Sequence, residues 1–162
     1  MIYISTGGFR NLKPQFIIKK FYKAGIKFIE LSGGSYVKLN EIISFLKKNN
    51  YLNYSLHNYF PVPKKHFVIN LASNKEKIYK RTLLNIRRSI SISNKLNLNY
   101  FGFHAGFLFD PNIKHLGKNF DKVKLQNRKK TIELFLKRVN SLAKEAKKKN
   151  VKILIENNVI TI

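Results

Sequence analysis

Tyr100-Phe101-Gly102-Phe103-His104 is an aromatic run with a glycine at its centre and a histidine at its end. Side chains alternate in direction along a strand, so Phe101 and Phe103 share one face while Gly102 and His104 share the other. One face is apolar, and the opposite face is nearly bare until the terminal imidazole. Residues 53–57 repeat the arrangement, with Tyr54 and Leu56 on one side and Ser55 and His57 on the other. Residues 151–156 do so again, with Ile153 and Ile155 opposite Leu154 and Glu156. Two earlier runs, residues 2–5 and 27–31, are also short and β-rich, and the second closes on Glu30.

The stretches between these runs have helical spacing. Phe16, Ile17, Phe21 and Tyr22 define a first helix that Ala24-Gly25 ends. A second covers residues 39–48 and stops at Asn49-Asn50. Asn74 is the expected cap of a third, through Leu96, with Ile78, Leu83, Ile86, Ile90 and Ile92 as its apolar stripe. A fourth covers residues 126–149. Alternation of strand and helix predicts an α/β fold of parallel strands joined by right-handed crossovers. An open doubly wound sheet and a barrel both satisfy that order. No GxGxxG or Walker pattern follows any strand. The chain is expected to be a single domain over residues 1–162.

In either architecture the carboxyl ends of the strands face the site. Glu30, His57, His104 and Glu156 therefore belong at one end of the sheet. With no cysteine in the chain, thiolate sites and disulfides are excluded. Neutral imidazole with carboxylate suits Zn, Mn, Co or Fe. His57, His104 and Glu156 are thus the candidate ligands of a divalent ion. Asn58 and Asn157 adjoin them and are candidates to orient ligands or bind substrate hydroxyls, as is Asn158. Glu30 is a further candidate substrate-binding residue. His66 and His115 read as surface or loop histidines.

The formal net charge is +24. A polyanion partner is one explanation. Compositional drift is the other, and it is favoured because 26 of the 32 basic residues are Lys and only 6 are Arg. Arg is the residue suited to bidentate phosphate and base recognition. No apolar run approaches the roughly 20 residues that cross a bilayer. The opening MIYIST has no basic, apolar leader pattern. A cytoplasmic setting without membrane contact is expected.

Four motifs occur in order: Ser55-Leu56-His57-Asn58-Tyr59-Phe60-Pro61, Phe67-Val68-Ile69-Asn70-Leu71-Ala72-Ser73, Gly102-Phe103-His104-Ala105-Gly106-Phe107 and Ile153-Leu154-Ile155-Glu156-Asn157-Asn158. Together they resemble the xylose isomerase-like TIM-barrel superfamily, which includes sugar phosphate isomerases/epimerases and the endonuclease IV type of AP endonuclease. The resemblance implies a partial (β/α)8 barrel, its first five strands with their helices. It implies a metal, with Zn, Mn, Co or Mg as the expected cofactor, held by His57, His104 and Glu156. The implied activity is metal-dependent isomerisation or epimerisation of a sugar or sugar phosphate, by proton transfer beside a carbonyl, with Glu156 as ligand and acid/base.

The alternative implied activity is zinc-dependent cleavage of abasic DNA. Ala105-Gly106-Phe107 and Asn157-Asn158-Val159 depart from the loops typical of those nucleases. A TIM barrel has eight strands and about 250 residues. Five strands predict an incomplete barrel, inactive alone, with open edges through which copies associate and with Ile4, Phe28 and Leu154 partly wet in its interior.

Overall fold

The computed structural model describes residues 2–9, 11–115 and 123–157. Their strands are β1 (Ile4–Ser5), β2 (Phe28–Leu31), β3 (Asn53–His57), β4 (Tyr100–His104) and β5 (Lys152–Glu156). The helices between them are α1 (Pro14–Lys23), α2 (Leu39–Lys48), α3 (Glu76–Lys95) and α4 (Arg128–Lys147). The strands form one sheet in the order β1-β2-β3-β4-β5, and every neighbouring pair is parallel. This settles the choice between the two architectures. A doubly wound sheet reverses its strand order at a switch point, whereas a barrel winds in one direction. The chain folds as the first five strands of a (β/α)8 barrel with the four helices between them.

Local chemistry accounts for most of the element bounds. Pro14 opens α1, where a missing N–H costs nothing. Asn127 caps α4 by accepting from the Lys130 N–H at 3.0 Å. The expected cap at Asn74 is not formed. Lys75 is the residue before α3 and provides no side-chain cap. Ser73 Oγ instead accepts from the Lys75 N–H at 3.1 Å, fixing the turn one step earlier. The first strand is shorter than its β-rich sequence suggests, because only Ile4 and Ser5 pair with β2 and Ile2 and Tyr3 precede the ladder; Thr6–Gly8 follow at once as a short 3-10 helix. There Thr6 Oγ1 accepts from the backbone of Ser32 and of Gly33.

The core lies between sheet and helices. Ile29, Leu31, Leu56, Phe101 and Phe103 project from consecutive strands and are fully buried there. Each such side chain contributes about 1.5–3 kcal/mol through burial. Ile17, Ile18, Ile42, Leu46, Ile86, Ile90, Val139 and Leu142 meet them from the helices. The other face of the sheet is the barrel interior. Register places Glu30 beside Ser55, His57 beside Gly102, Gly102 beside Leu154 and His104 beside Glu156. Leu154 is 50% exposed on that face, and Phe28 is half-buried. Ile4 does not join them. Its partner in register is Ile29, so it lies on the helix-facing side, and its exposure comes from its place in the outermost strand.

Arg87 on α3 clasps Glu145 on α4 through two parallel hydrogen bonds of 2.6 and 2.7 Å. Hydrogen bonding to Arg87 holds the Glu145 carboxyl below its usual range. Its folded pKa lies below its unfolded one, so the stabilisation is present above the unfolded value and is lost as pH falls through the folded one. Both side chains are substantially exposed, so solvent screening limits the contribution to less than about 1 kcal/mol. Glu145→Gln is expected to lower the midpoint of thermal unfolding slightly at pH 7 and leave it unchanged once the pH is below the folded pKa of Glu145. An equal effect at both pH values would show the pair to be inert.

Candidate functional site

β3, β4 and β5 end side by side on His57, His104 and Glu156. One ligand atom from each lies within 4.8 Å of the other two. His57 Nε2 is 2.8 Å from Glu156 Oε2, and His104 Nε2 is 3.5 Å from the same oxygen. The two imidazole centroids are 5.2 Å apart with planes tilted by 60°. Glu30 is drawn toward the group, with Oε1 4.0 Å from His57 Nδ1. All four strand-end residues therefore meet at one end of the sheet. Glu30 is not the last residue of its strand, since Leu31 continues β2.

The short contact between His57 and Glu156 is not a well-formed hydrogen bond. His57 Nε2 is buried and has no partner in bonding geometry, although Glu156 Oε2 is near. The two observations agree if the carboxylate oxygen lies close but off the axis of the ring nitrogen. The opposite nitrogen faces Ser32, whose Oγ is 3.3 Å from Nδ1. With Nδ1–H donating to Ser32, Nε2 carries a free lone pair toward the cluster. Burial, and then the nearby His57, hold the His104 pKa below its ordinary value. Both effects favour a neutral imidazole, which is the form that binds metal. Two imidazole nitrogens and a carboxylate converging on one small volume fit a divalent cation.

Gly102 makes room for this arrangement. A Cβ there would lie 3.0 Å from His57 Cδ2, so any side chain would push the ring off its position. Gly102→Ala is expected to weaken divalent-ion binding about ten-fold, with folding retained. Calorimetric titration of the two proteins checks this, and an unchanged affinity would mean that the ring position is unimportant.

The loop behind His104 is fastened by Asn70, a fully buried residue. Asn70 Oδ1 accepts from the N–H groups of Ala72 and Phe107, both at 3.1 Å. Its amide donates to the carbonyls of Phe107 and Phe109 and to Asp110 Oδ1. Gly106 has φ +129°, and a Cβ on it would lie 2.7 Å from Asn70 Oδ1. Arg138 from α4 adds a second tie, donating to the carbonyls of Leu71 and Ser73 while stacking 3.6 Å above the Tyr79 ring.

Among the remaining candidates, Asn58 follows β3 in a left-handed conformation with φ 35°. It is buried, and its N–H donates to the Gly102 carbonyl at 2.8 Å. Asn157 is exposed just beyond β5, and Asn158 lies outside the described residues. His66 is exposed in the loop before α3, and His115 ends a short 3-10 turn. The sequence reading missed Ser32 and Asn70. Ser32 directly follows β2, and position after a strand was the usable signal. Asn70 stands in the buried run Val68-Ile69-Asn70-Leu71-Ala72, and a polar residue there had to be bonded. A cavity of about 590 Å³ lies at the opposite end of the strands, beside Asn53 and Tyr100, and holds none of the clustered residues.

One-directional winding and polar residues gathered at the strand ends define a barrel-type α/β protein with its candidate functional groups at the carboxyl mouth. The chain belongs to the xylose isomerase-like TIM barrel family, whose model matches residues 18–158. No curated protein matches it in sequence. Among solved structures it is similar to an L-ribulose 3-epimerase, with 13% identity, TM-score 0.63, and coverage of 95% of this chain and 48% of that one. It is also similar to the D-psicose 3-epimerase of Clostridium cellulolyticum in complex with D-tagatose, with 18% identity, TM-score 0.56, and coverage of 86% and 45%. A third is the TTHB071 protein of Thermus thermophilus soaked with ZnCl2, with 12% identity, TM-score 0.57, and coverage of 92% and 55%. At such identities the likeness is one of fold. The chain spans about half the length of these structures. Among the described residues no helix is long and apolar enough to cross a membrane.

Proposed function

We propose that the chain provides part of the metal centre of a sugar or sugar-phosphate isomerase or epimerase. The observation that carries this reading is the convergence of His57, His104 and Glu156 from three successive strands to within 4.8 Å. His57 Nε2, His104 Nε2 and the Glu156 carboxylate would hold a divalent ion, Zn, Mn, Co or Mg. When bound, that ion supplies a Lewis acid that polarises a substrate carbonyl and hydroxyl. Ser32 Oγ would accept from His57 Nδ1–H and so support the tautomer that presents Nε2. Glu156, 61% exposed at its side chain, is free enough to act on substrate as well as to ligate. Its carboxylate would accept the proton beside the carbonyl and return it. Glu30 and Asn157 border the mouth and would receive substrate hydroxyls, while buried Asn58 holds the turn behind His57.

The similarity to sugar 3-epimerases supports the substrate class, since those proteins share the fold. The test is metal-dependent conversion across a panel of ketoses and their phosphates, by a protein that holds the whole barrel mouth. No turnover on any of them, with the metal bound, would remove this reading. Residues 1–162 alone are expected to show no turnover. Only three protein donors gather among the described residues, and the interior beside β5 is open at Leu154. Activity from this chain alone, as a monomer, would contradict the expectation.

The net charge of +24 supports a second reading, a phosphodiesterase acting on abasic DNA. Charge alone predicts weak, sequence-blind DNA binding that falls steeply as salt rises. Filter binding on intact and abasic duplexes separates the two readings. Tight binding at physiological salt with preference for the abasic duplex would favour the nuclease.

A further inference from the structure

β1 ends at Ser5, paired with Glu30, and Thr6 is the first residue beyond that ladder. Thr6 is fully buried. Its hydroxyl oxygen accepts from the Ser32 N–H at 3.0 Å and from the Gly33 N–H at 3.3 Å, and its proton is donated to the Gly33 carbonyl at 3.4 Å. A hydroxyl has one proton and two lone pairs, so its whole bonding capacity goes to the turn after β2. The turns after β1 and β2 also meet backbone to backbone. A Cβ on Gly33 would lie 3.1 Å from Gly7 Cα, and a Cβ on Gly34 would lie 2.9 Å from the Leu12 carbonyl oxygen. The Ser35 N–H donates to that same carbonyl at 2.8 Å. The turn is thus tied at residues 32, 33 and 35, and Ser32 sits where these ties place it.

Ser32 Oγ is 3.3 Å from His57 Nδ1. Glu30 Oε1, at 4.0 Å from the same nitrogen, is beyond hydrogen-bond reach. On the far side of the ring, Nε2 is 2.8 Å from Glu156 Oε2. A neutral imidazole has one N–H, so its proton has two acceptors to choose between, Ser32 at Nδ1 or Glu156 at Nε2. Only the first choice leaves the Nε2 lone pair free for an ion. Glu156 is the stronger acceptor by charge, although it lies out of line with Nε2. The choice therefore depends on how firmly Ser32 is held. We propose that Thr6 is a positioning residue of the mouth, whose hydroxyl fixes the turn that presents Ser32 Oγ to His57 Nδ1. Its consequence for ion binding rests on the proposed metal centre, whereas the His57 tautomer is read without metal.

Proton–nitrogen NMR of the metal-free protein, at about pH 8.5 where imidazoles are neutral, reports which His57 nitrogen carries the proton. In the wild type the proton is expected on Nδ1. Thr6→Val keeps the shape and removes the hydroxyl. The proton is then expected to move to Nε2, and affinity for a divalent ion to fall about ten-fold. Thr6→Ser returns the hydroxyl and should restore both the tautomer and the affinity. Should Thr6→Val fail to fold, Thr6→Ala removes the same hydroxyl without the added methyl and takes its place in every measurement. Calorimetric titration with Zn in a Ser32→Ala background separates positioning from a general structural role. There Thr6 has no hydroxyl left to present, so Thr6→Val should cost no further affinity. A Thr6 that acts on the fold in general would weaken binding by the same factor in both backgrounds. A wild-type proton on Nε2, an unmoved proton in Thr6→Val, equal losses in the two backgrounds, or no rescue by Thr6→Ser would overturn the proposal. A tautomer that shifts as expected in a protein that binds no divalent ion would uphold the positioning role and remove the metal centre instead.

Discussion

The variant carrying both His57→Ala and His104→Ala is expected to lose divalent-ion binding by a factor on the order of 100 or more, given that removal of merely supporting groups at metal sites already costs 10–100-fold. Two of the three converging donors disappear together, and Glu156 remains as an exposed carboxylate with no partner at its tip. Both imidazoles project from strand ends, His57 15% and His104 36% exposed at the side chain, and neither belongs to the apolar core between sheet and helices. The double variant should therefore still fold in the absence of metal, with a modest loss of thermal stability from the largely buried His57. Loss of metal-dependent stabilisation is the second readout. A ligand present at 100 times its Kd raises stability by about 2.7 kcal/mol, and the variant should show none of that increment. Metal content measured on the purified proteins decides the matter. Equal content in wild type and double variant would remove His57 and His104 from the site. The single variant Ser32→Ala tests the tautomer argument separately. It leaves every donor in place and is expected to weaken binding about ten-fold.

The features legible in the sequence were those governed by alternation along a strand. Phe101 and Phe103 on one face, with Gly102 and His104 on the other, follow from a period of two, and the structure places them so. The same logic gathers Glu30, His57, His104 and Glu156, because parallel strands put equivalent ends together. Barrel against open sheet was not legible from local pattern, since the order of strands in a sheet is a property of long-range pairing. Ile4 was misplaced for a related reason. A strand of two residues carries too short an alternation to fix which face is inward, and only its pairing with Ile29 does so. Asn74 failed as a cap because Ser73, one residue earlier, competes for the same turn. Ser32 and Asn70 act through partners 25 and 37–40 residues away. No spacing rule reaches that far.

Asn70 is also where the largest loss of stability from a polar substitution is expected. Asn70→Ala removes one acceptor and one donor group that together serve Ala72, Phe107, Phe109 and Asp110. Ala72 and Phe109 are themselves buried, so their backbone groups cannot all turn to water. Each buried group left unsatisfied costs about 1–3 kcal/mol. Part of this is recovered where the loop after β4 opens, and a net loss of about 3 kcal/mol is expected. For a chain of this size that corresponds to a fall in Tm of roughly 6–12 °C. Asn70→Asp gives a sharper control. It keeps the acceptors for Ala72 and Phe107 but places a second carboxylate 3.0 Å from the first at Asp110. It should be destabilised at pH 7 and recover partly in acid, as one of the two carboxyls takes up a proton. Asn70→Ala should show no such recovery. The loop that Asn70 fastens begins immediately after His104, so its release should also loosen one of the proposed metal donors. The affinity for the ion is then expected to fall a few-fold, far less than in the double histidine variant. A Tm within about 2 °C of wild type for Asn70→Ala, well short of the shift expected for a domain of this size, would show that the hydrogen-bonded hub is not what holds this side of the mouth.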